Sequence, residues 1–206
     1  SEGYEFGFKG TTENVSWTLS FYDNDYENFI DTYIKGVNQQ RITLYEYGNL
    51  DEVEIKGAEF EMNADISENL QASFGFSIPD GTENDEQLVS IDPEEAILGL
   101  VWNSNSGKLK LSGYANFTAG SHDNLPPSCG RGGCNPLLAL SGLTTYDLYG
   151  SYQITESLKL RFAIRNLSDE SYWNWASVQG KSATDSGLDL FMEPGRNMSM
   201  GLKYDF

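Results

Sequence analysis

The last ten residues alternate without a break. Met198, Met200, Leu202, Tyr204 and Phe206 are oily, while Ser199, Gly201, Lys203 and Asp205 between them are small or charged. Successive strand side chains point to opposite faces, so this segment reads as a β-strand with one oily and one wet face. Eight further segments share the period. Their oily faces are Tyr4–Phe6–Phe8, Val15–Trp17–Leu19–Phe21, Ala58–Phe60–Met62–Ala64–Ile66, Leu70–Ala72–Phe74–Phe76–Ile78, Ala96–Leu98–Leu100–Trp102, Leu109–Leu111–Gly113–Ala115–Phe117, Tyr146–Leu148–Gly150–Tyr152–Ile154 and Leu158–Leu160–Phe162–Ile164. Val53 and Ile55 precede Ala58 in the opposite phase. A β-bulge at Gly57 would restore the facing, giving one long strand rather than two.

Nine antiparallel strands in sequence order is therefore the expected fold: all-β, with no core-forming helix. The expected connections alternate in length. Those at 11–13, 67–69, 103–107 and 155–157 are short, and those near 36–50, 80–93, 119–143 and 173–196 are long. Short turns on one side and long loops on the other are the layout of an outer-membrane barrel. A soluble β-sandwich, the rival architecture, has no reason to obey it. No run of about 18 apolar residues exists to make a membrane-spanning helix. Barrel strands, which alternate, need none.

Aromatic placement supports the barrel. With the short turns periplasmic, Phe8, Trp17, Trp102, Tyr152, Tyr204 and Phe206 fall near that side, and Phe76, Phe117, Tyr146, Tyr172 and Trp173 near the other. Two such belts mark the two membrane interfaces. The count of nine is odd, whereas single-chain bacterial barrels close with an even number. The first and last strands both carry full lipid-facing patterns, and an open edge leaves backbone groups unsatisfied in hydrocarbon. Upstream strands of the same polypeptide are the simplest source of the missing partners. The net charge of −18, from 31 acidic and 13 basic residues, excludes a nucleic-acid partner, whose phosphates demand a basic surface.

Four segments, in order, resemble the TonB-dependent outer-membrane receptors: Tyr4-Glu5-Phe6-Gly7-Phe8-Lys9-Gly10, Ile55-Lys56-Gly57-Ala58-Glu59, Asn166-Leu167-Ser168-Asp169-Glu170-Ser171-Tyr172, and the terminal strand after Glu193-Pro194-Gly195-Arg196-Asn197. The likeness implies that residues 1–206 form about nine C-terminal strands of a roughly 22-stranded barrel in the bacterial outer membrane, with extracellular loops. It implies three partners besides lipid: a plug domain, upstream strands and, through the plug, the TonB complex. Tyr172-Trp173-Asn174-Trp175 and Ser177-Val178-Gln179-Gly180 look like the haem and haemoglobin receptors. Haem or a haem protein such as haemoglobin is then the transported ligand. A siderophore, another nutrient or a passive pore is the alternative.

No intrinsic cofactor, nucleophile–base pair, phosphate loop or metal cluster is evident, so an enzyme is not expected. His122 is the single histidine and lies in the 119–143 loop, where imidazole could meet haem iron. Tyr33, Tyr45 and Tyr47 could ligate iron or stack on a porphyrin, although loop packing is the commoner use of such residues. Glu59 and Glu61 share the wet face, better placed to meet lumenal cations than to catalyse. Arg196 is expected at the barrel mouth, folding the last loop through hydrogen bonds. Cys129 and Cys134 enclose three glycines and an arginine, a loop able to close a disulfide in an oxidising compartment. Two cysteines alone are few for structural zinc.

Phe206 is expected to end the final strand with its ring outward at the periplasmic belt. In the family it resembles, a terminal aromatic is read by the barrel-assembly machinery. Phe206→Ala is expected to reduce assembled receptor severalfold on heat-modifiability gels while leaving the substrate affinity of the assembled fraction unchanged. Normal outer-membrane levels with lost binding would give Phe206 a different role.

Overall fold

The computed structural model describes residues 1–37, 43–121, 125, 128–130 and 133–206. Its strands are β1 (Glu2–Thr11), β2 (Val15–Val37), β3 (Thr43–Ser67), β4 (Leu70–Glu83), β5 (Glu86–Gln87), β6 (Glu95–Asn103), β7 (Leu109–Thr118), β8 (Ser128–Gly130), β9 (Gly133–Asn135), β10 (Leu143–Gln153), β11 (Leu158–Arg165) and β12 (Asn197–Tyr204). Helix among the described residues is limited to one α-turn, α1 (Trp175–Val178), and one 3₁₀ turn, Leu188–Phe191.

Nine strands form one path, β1-β2-β3-β4-β6-β7-β10-β11-β12, with β5 folded back on β4 and β8–β9 a separate hairpin. Every neighbouring pair is antiparallel and follows sequence order, as the alternation requires. Among the described residues the sheet is open: β1 pairs only with β2, and β12 only with β11.

The outward face is oily and exposed. Met200 is 79% exposed and Phe206 114%, and Phe6, Leu100, Tyr152 and Leu202 are exposed beside them. In water such a surface would be untenable; in lipid it is the solvated face. The row Phe6–Phe21–Ala58–Ile78 is followed one row up by Tyr4–Asp23–Lys56–Asp80, so the oily band ends there on strands β1 to β4. Apart from Ala163 on the inner face of β11, the buried apolar side chains lie elsewhere. Leu88, Ile91, Leu137, Trp175 and Val178 all belong to the long connections, and Val53 sits above the band.

Three expectations change. The region 36–50 is largely strand, not loop: β2 runs for 23 residues and β3 for 25, against about ten needed to cross a membrane. Beyond the bilayer the outer face of this hairpin no longer meets lipid, so its sequence loses the oily alternation that marks strands lower down. Gly57 carries no bulge: Tyr22↔Gly57 and Gly57↔Pro79 lie in unbroken register, and the shifts fall at Ile34/Gly36 and Asp65/Ser67 instead. The phase change of Val53 and Ile55 has another cause. Above the band, the inner face of β3 is covered by Leu88 and Ile91, with Tyr26, Phe29 and Leu50 alongside. The apolar residues change face because their apolar surroundings do.

Tyr172 and Trp173 also leave the belt assigned to them. The Trp173 indole Nε1–H donates to the Leu188 carbonyl at 2.9 Å, inside the last loop. Tyr172 neighbours the wet-face carboxylate of Asp147, and burial, together with Glu193 and Asp147, raises its phenol above the ordinary value.

Candidate ligand-facing loop surface

The long connections fold onto one another at the end of the sheet opposite the short turns. The first support is local. Asn84 and Asp85 both adopt positive φ (50° and 67°), a turn that asparagine and aspartate tolerate and that returns β5 onto β4. The chain then crosses inward. Leu88 N–H donates to the Gly81 carbonyl at 2.9 Å, and the Ser90 hydroxyl donates to Asp31 Oδ2 at 2.6 Å. Gly81 is required by this crossing, because a Cβ there would stand 2.4 Å from Ile91 Cγ1. The 80–93 connection thus braces the base of the β2–β3 hairpin through the Val53, Leu88 and Ile91 cluster.

The second support joins the two C-terminal loops. Leu137 bridges Ser182, and Leu138 N–H donates to the Lys181 carbonyl at 2.7 Å. Trp175 and Val178, from α1, are buried, and Asn174 caps that turn by accepting from Ala176 N–H at 2.9 Å. Lys181 Nζ lies 4.3 Å from the centroid of the Phe191 ring. Leu190, by contrast, is fully presented to solvent. Trp175 Nε1 and Gln179 Oε1 are buried without a hydrogen-bond partner among the described residues.

A hydrogen-bonded staple closes the last loop at its root. Asn166, 4% exposed and at φ 52°, donates its backbone N–H to Asp147 Oδ1 at 2.9 Å. Its side-chain amide donates to the Glu170 carbonyl at 2.8 Å and the Pro194 carbonyl at 3.3 Å, while its Oδ1 accepts from Glu170 N–H at 2.9 Å. Asp169 takes the backbone N–H of Arg196 at 2.7 Å and faces its guanidinium at 3.7 Å. Arg196 Nη1 also reaches the Leu167 carbonyl at 3.4 Å, so Arg196 folds the loop as expected. The staple ties β10, the end of β11 and the start of β12 together. Its residues stand out in the sequence as a motif, but their reach across 28 residues does not.

The expected ligand residues separate. His122 lies outside the described residues. In the β2–β3 ladder Tyr47 pairs with Thr32, Tyr45 with Ile34, and Tyr33 with Glu46. Tyr45 and Tyr47 therefore share one alternation of the ladder, and Tyr33 falls on the other. Tyr47 is 78% exposed, as is most of Ile30 nearby. Cys129 and Cys134 are register partners in the β8–β9 hairpin, and β8 lies beside β2. Among the described residues no group of three or more His, Cys, Asp or Glu is placed to hold a metal ion.

The sequence profile of the family described as TonB dependent receptor-like, beta-barrel matches residues 1–167. The chain is 26% identical over 92% of its length to the hemoglobin-haptoglobin-binding protein A of Haemophilus influenzae, covering 21% of that protein. It is 21% identical over 98% of its length to the ferric enterobactin receptor of Pseudomonas aeruginosa, covering 29%. The solved copper transporter OprC superposes with a TM-score of 0.80 at 20% identity, over 99% of this chain and 32% of that one. The chain thus spans between a fifth and a third of the proteins it matches.

Asn166→Ala removes three side-chain hydrogen bonds at a buried site and is expected to loosen the last loop by about 2–4 kcal/mol. Hydrogen exchange at the Glu170 and Arg196 amides should then quicken by two or more orders of magnitude, with the β7 and β10 amides unchanged. Protection at Glu170 and Arg196 equal to that of the parent protein would show that the loop does not depend on the staple.

Proposed function

The chain belongs to the TonB-dependent receptor β-barrel family, and from that premise we propose that it forms the C-terminal wall and ligand-facing loops of an active importer of iron. Relatives in this family are outer-membrane receptors rather than enzymes, and the exposed oily band with its two aromatic margins fits that membrane. The observation that carries the reading is the pairing of that band with a braced crown of loops on one side only. A passive pore needs the band but not the crown. The two open sheet edges call for further strands, and energy coupling through TonB calls for a plug domain; the longer relatives leave room for both.

The cargo we propose is haem or haem delivered by a protein such as haemoglobin. The H. influenzae relative is named for binding haemoglobin–haptoglobin, and the tall β2–β3 hairpin offers exposed Tyr47 and Ile30 far from the bilayer. A ferric siderophore is the second reading, favoured by the enterobactin receptor among the relatives. Tyr33, Tyr45, Tyr47 and His122 are the proposed contacts, Tyr33 on a different alternation from Tyr45 and Tyr47. Phe206 keeps its proposed role in assembly.

The two cysteines are proposed to form a disulfide that pins the β8–β9 hairpin, supported by their directly opposed register. Alkylation of the unreduced receptor should add no mass at Cys129 or Cys134; two added groups would sink the idea.

Growth of an iron-starved, receptor-deleted strain carrying the complete receptor tests the cargo. Haemoglobin is expected to restore growth and ferric enterobactin not. Tyr47→Ala with His122→Ala should lower haemoglobin binding about tenfold or more, on the scale of one or two lost anchors. Growth on the siderophore alone would replace the first reading with the second.

A further inference from the structure

Cations are scarce in this chain, and three that no acid neutralises stand together on the wet face. The chain carries 13 Lys and Arg against 31 Asp and Glu. Lys56 pairs with Glu54, Arg196 with Asp169 and Lys203 with Asp205. Lys110, Lys159 and Arg161 have no acidic partner among the described residues. Lys110, Ser151 and Arg161 occupy one cross-strand row of β7, β10 and β11, close to the periplasmic turns and on the face away from lipid. Lys159 stands one row lower on the same face, opposite Gln153.

The row borders a recess. An open depression of about 470 Å³ lies here, in the size range of small-molecule sites. Its floor is Ala163, Ser199 and Gly201, residues too small to fill it. Tyr149 makes one wall, and its ring is held from the side: Tyr114 meets it edge-on at 5.8 Å, and the Arg165 guanidinium lies 5.7 Å from its centroid. Lys110 and Arg161 flank Ser151 from the two neighbouring strands, so their Cα atoms are two strand spacings apart, about 10 Å. Two cations with a hydroxyl between them thus border one edge of a hollow whose floor is small and whose wall is aromatic.

We propose that this recess binds a small planar molecule carrying two carboxylates, and that in the receptor it holds a porphyrin by its propionates at the periplasmic end of the lumen. The inference rests on the haem reading of the cargo and adds to it a second site, at the opposite end from the crown. Lys110 and Arg161 each take one carboxylate, with the Ser151 hydroxyl donating between them and Lys159 below. The flat ring lies against Tyr149, over the floor of Ala163, Ser199 and Gly201, where bulkier side chains would exclude it. Cations alone would suit any anion. The shallow floor and the fixed ring select a flat one, and the spacing of Lys110 and Arg161 selects one with two acidic groups.

Protoporphyrin IX, which lacks iron, reads this site apart from any iron ligand in the crown. Its binding to the complete receptor in nanodiscs is followed by fluorescence, corrected for empty nanodiscs, beside that of its dimethyl ester. The parental receptor is expected to bind the free acid about tenfold more tightly than the ester, since only the acid meets the cations. Lys110→Gln with Arg161→Gln should weaken the acid about tenfold or more and leave the ester unchanged. Lys110→Arg keeps the charge and the parental affinity, which separates loss of the site from misfolding. Lys108→Gln, the same loss of charge at a periplasmic turn, alters neither ligand. Where the double variant does not assemble, Lys110→Gln alone is expected to weaken the acid severalfold and spare the ester. Unchanged affinity for the acid in the glutamine variants overturns the proposal, as does a parental receptor that does not distinguish acid from ester. An equal loss for acid and ester overturns it in favour of a contact internal to the protein. A receptor that passes this test yet supports no growth on haemoglobin keeps the site and defeats the cargo reading instead.

Discussion

A backbone amide in hydrocarbon has no water to bond to, and each one left unpaired costs several kcal/mol, roughly. That single constraint organises the chain. Ten-residue segments that would be marginal as isolated hairpins become obligatory neighbours, each supplying the next with donors and acceptors. Unbroken strand-to-strand pairing from β1 to β12 follows from it, as does the brevity of the turns on one side, where strands must reverse before leaving the ladder. At the periplasmic turns, side chains finish the work: Gln71 donates to Asp65 at 2.8 Å, and Asn69 meets Asn105 across two neighbouring turns.

Because lipid accepts the oily face, apolar burial is freed from the sheet and reappears in the loops. The Val53–Leu88–Ile91 cluster and the Trp175–Val178 turn are small, local cores of the kind a soluble protein would build once and centrally. They make the crown stiff where it would otherwise be a set of independent loops. Stiffness matters to recognition, since a surface already ordered loses less entropy on binding. The staple at Asn166 adds the same effect at the root of the last loop, through polar contacts instead of apolar ones.

Wherever one face met lipid, the fold was legible in the sequence. Leu158–Ile164 and Met198–Phe206 alternate cleanly, and they pair with each other in the structure, Leu160 opposite Leu202 and Phe162 opposite Met200. Legibility failed where the environment changed. Glu46, Tyr47 and Asn49 sit in a strand that has left the lipid, so no oily period-two contrast marks it. At Val53 and Ile55 the change of phase was real, but its cause was a distant loop, and neighbours in sequence suggested a bulge instead. The loop surface was harder still. Leu137 with Ser182, and Asp31 with Ser90, are contacts between segments that share no pattern. The four receptor-like segments pointed to the family, but they could not separate Tyr33 from Tyr45 and Tyr47, because that depends on the register of the hairpin.

The height of that hairpin has a consequence for encounter. From the Asp23–Lys56 row, β2 continues to Val37, roughly 45 Å of ladder at strand spacing and about 35 Å of height once barrel tilt is allowed for. The last described rungs therefore stand well outside the headgroups. On the proposed haem-protein reading, a bulky carrier could be met there without bringing its mass down to the pore. On that reading the ladder sets a capture radius, its length matched to cargo too large to approach.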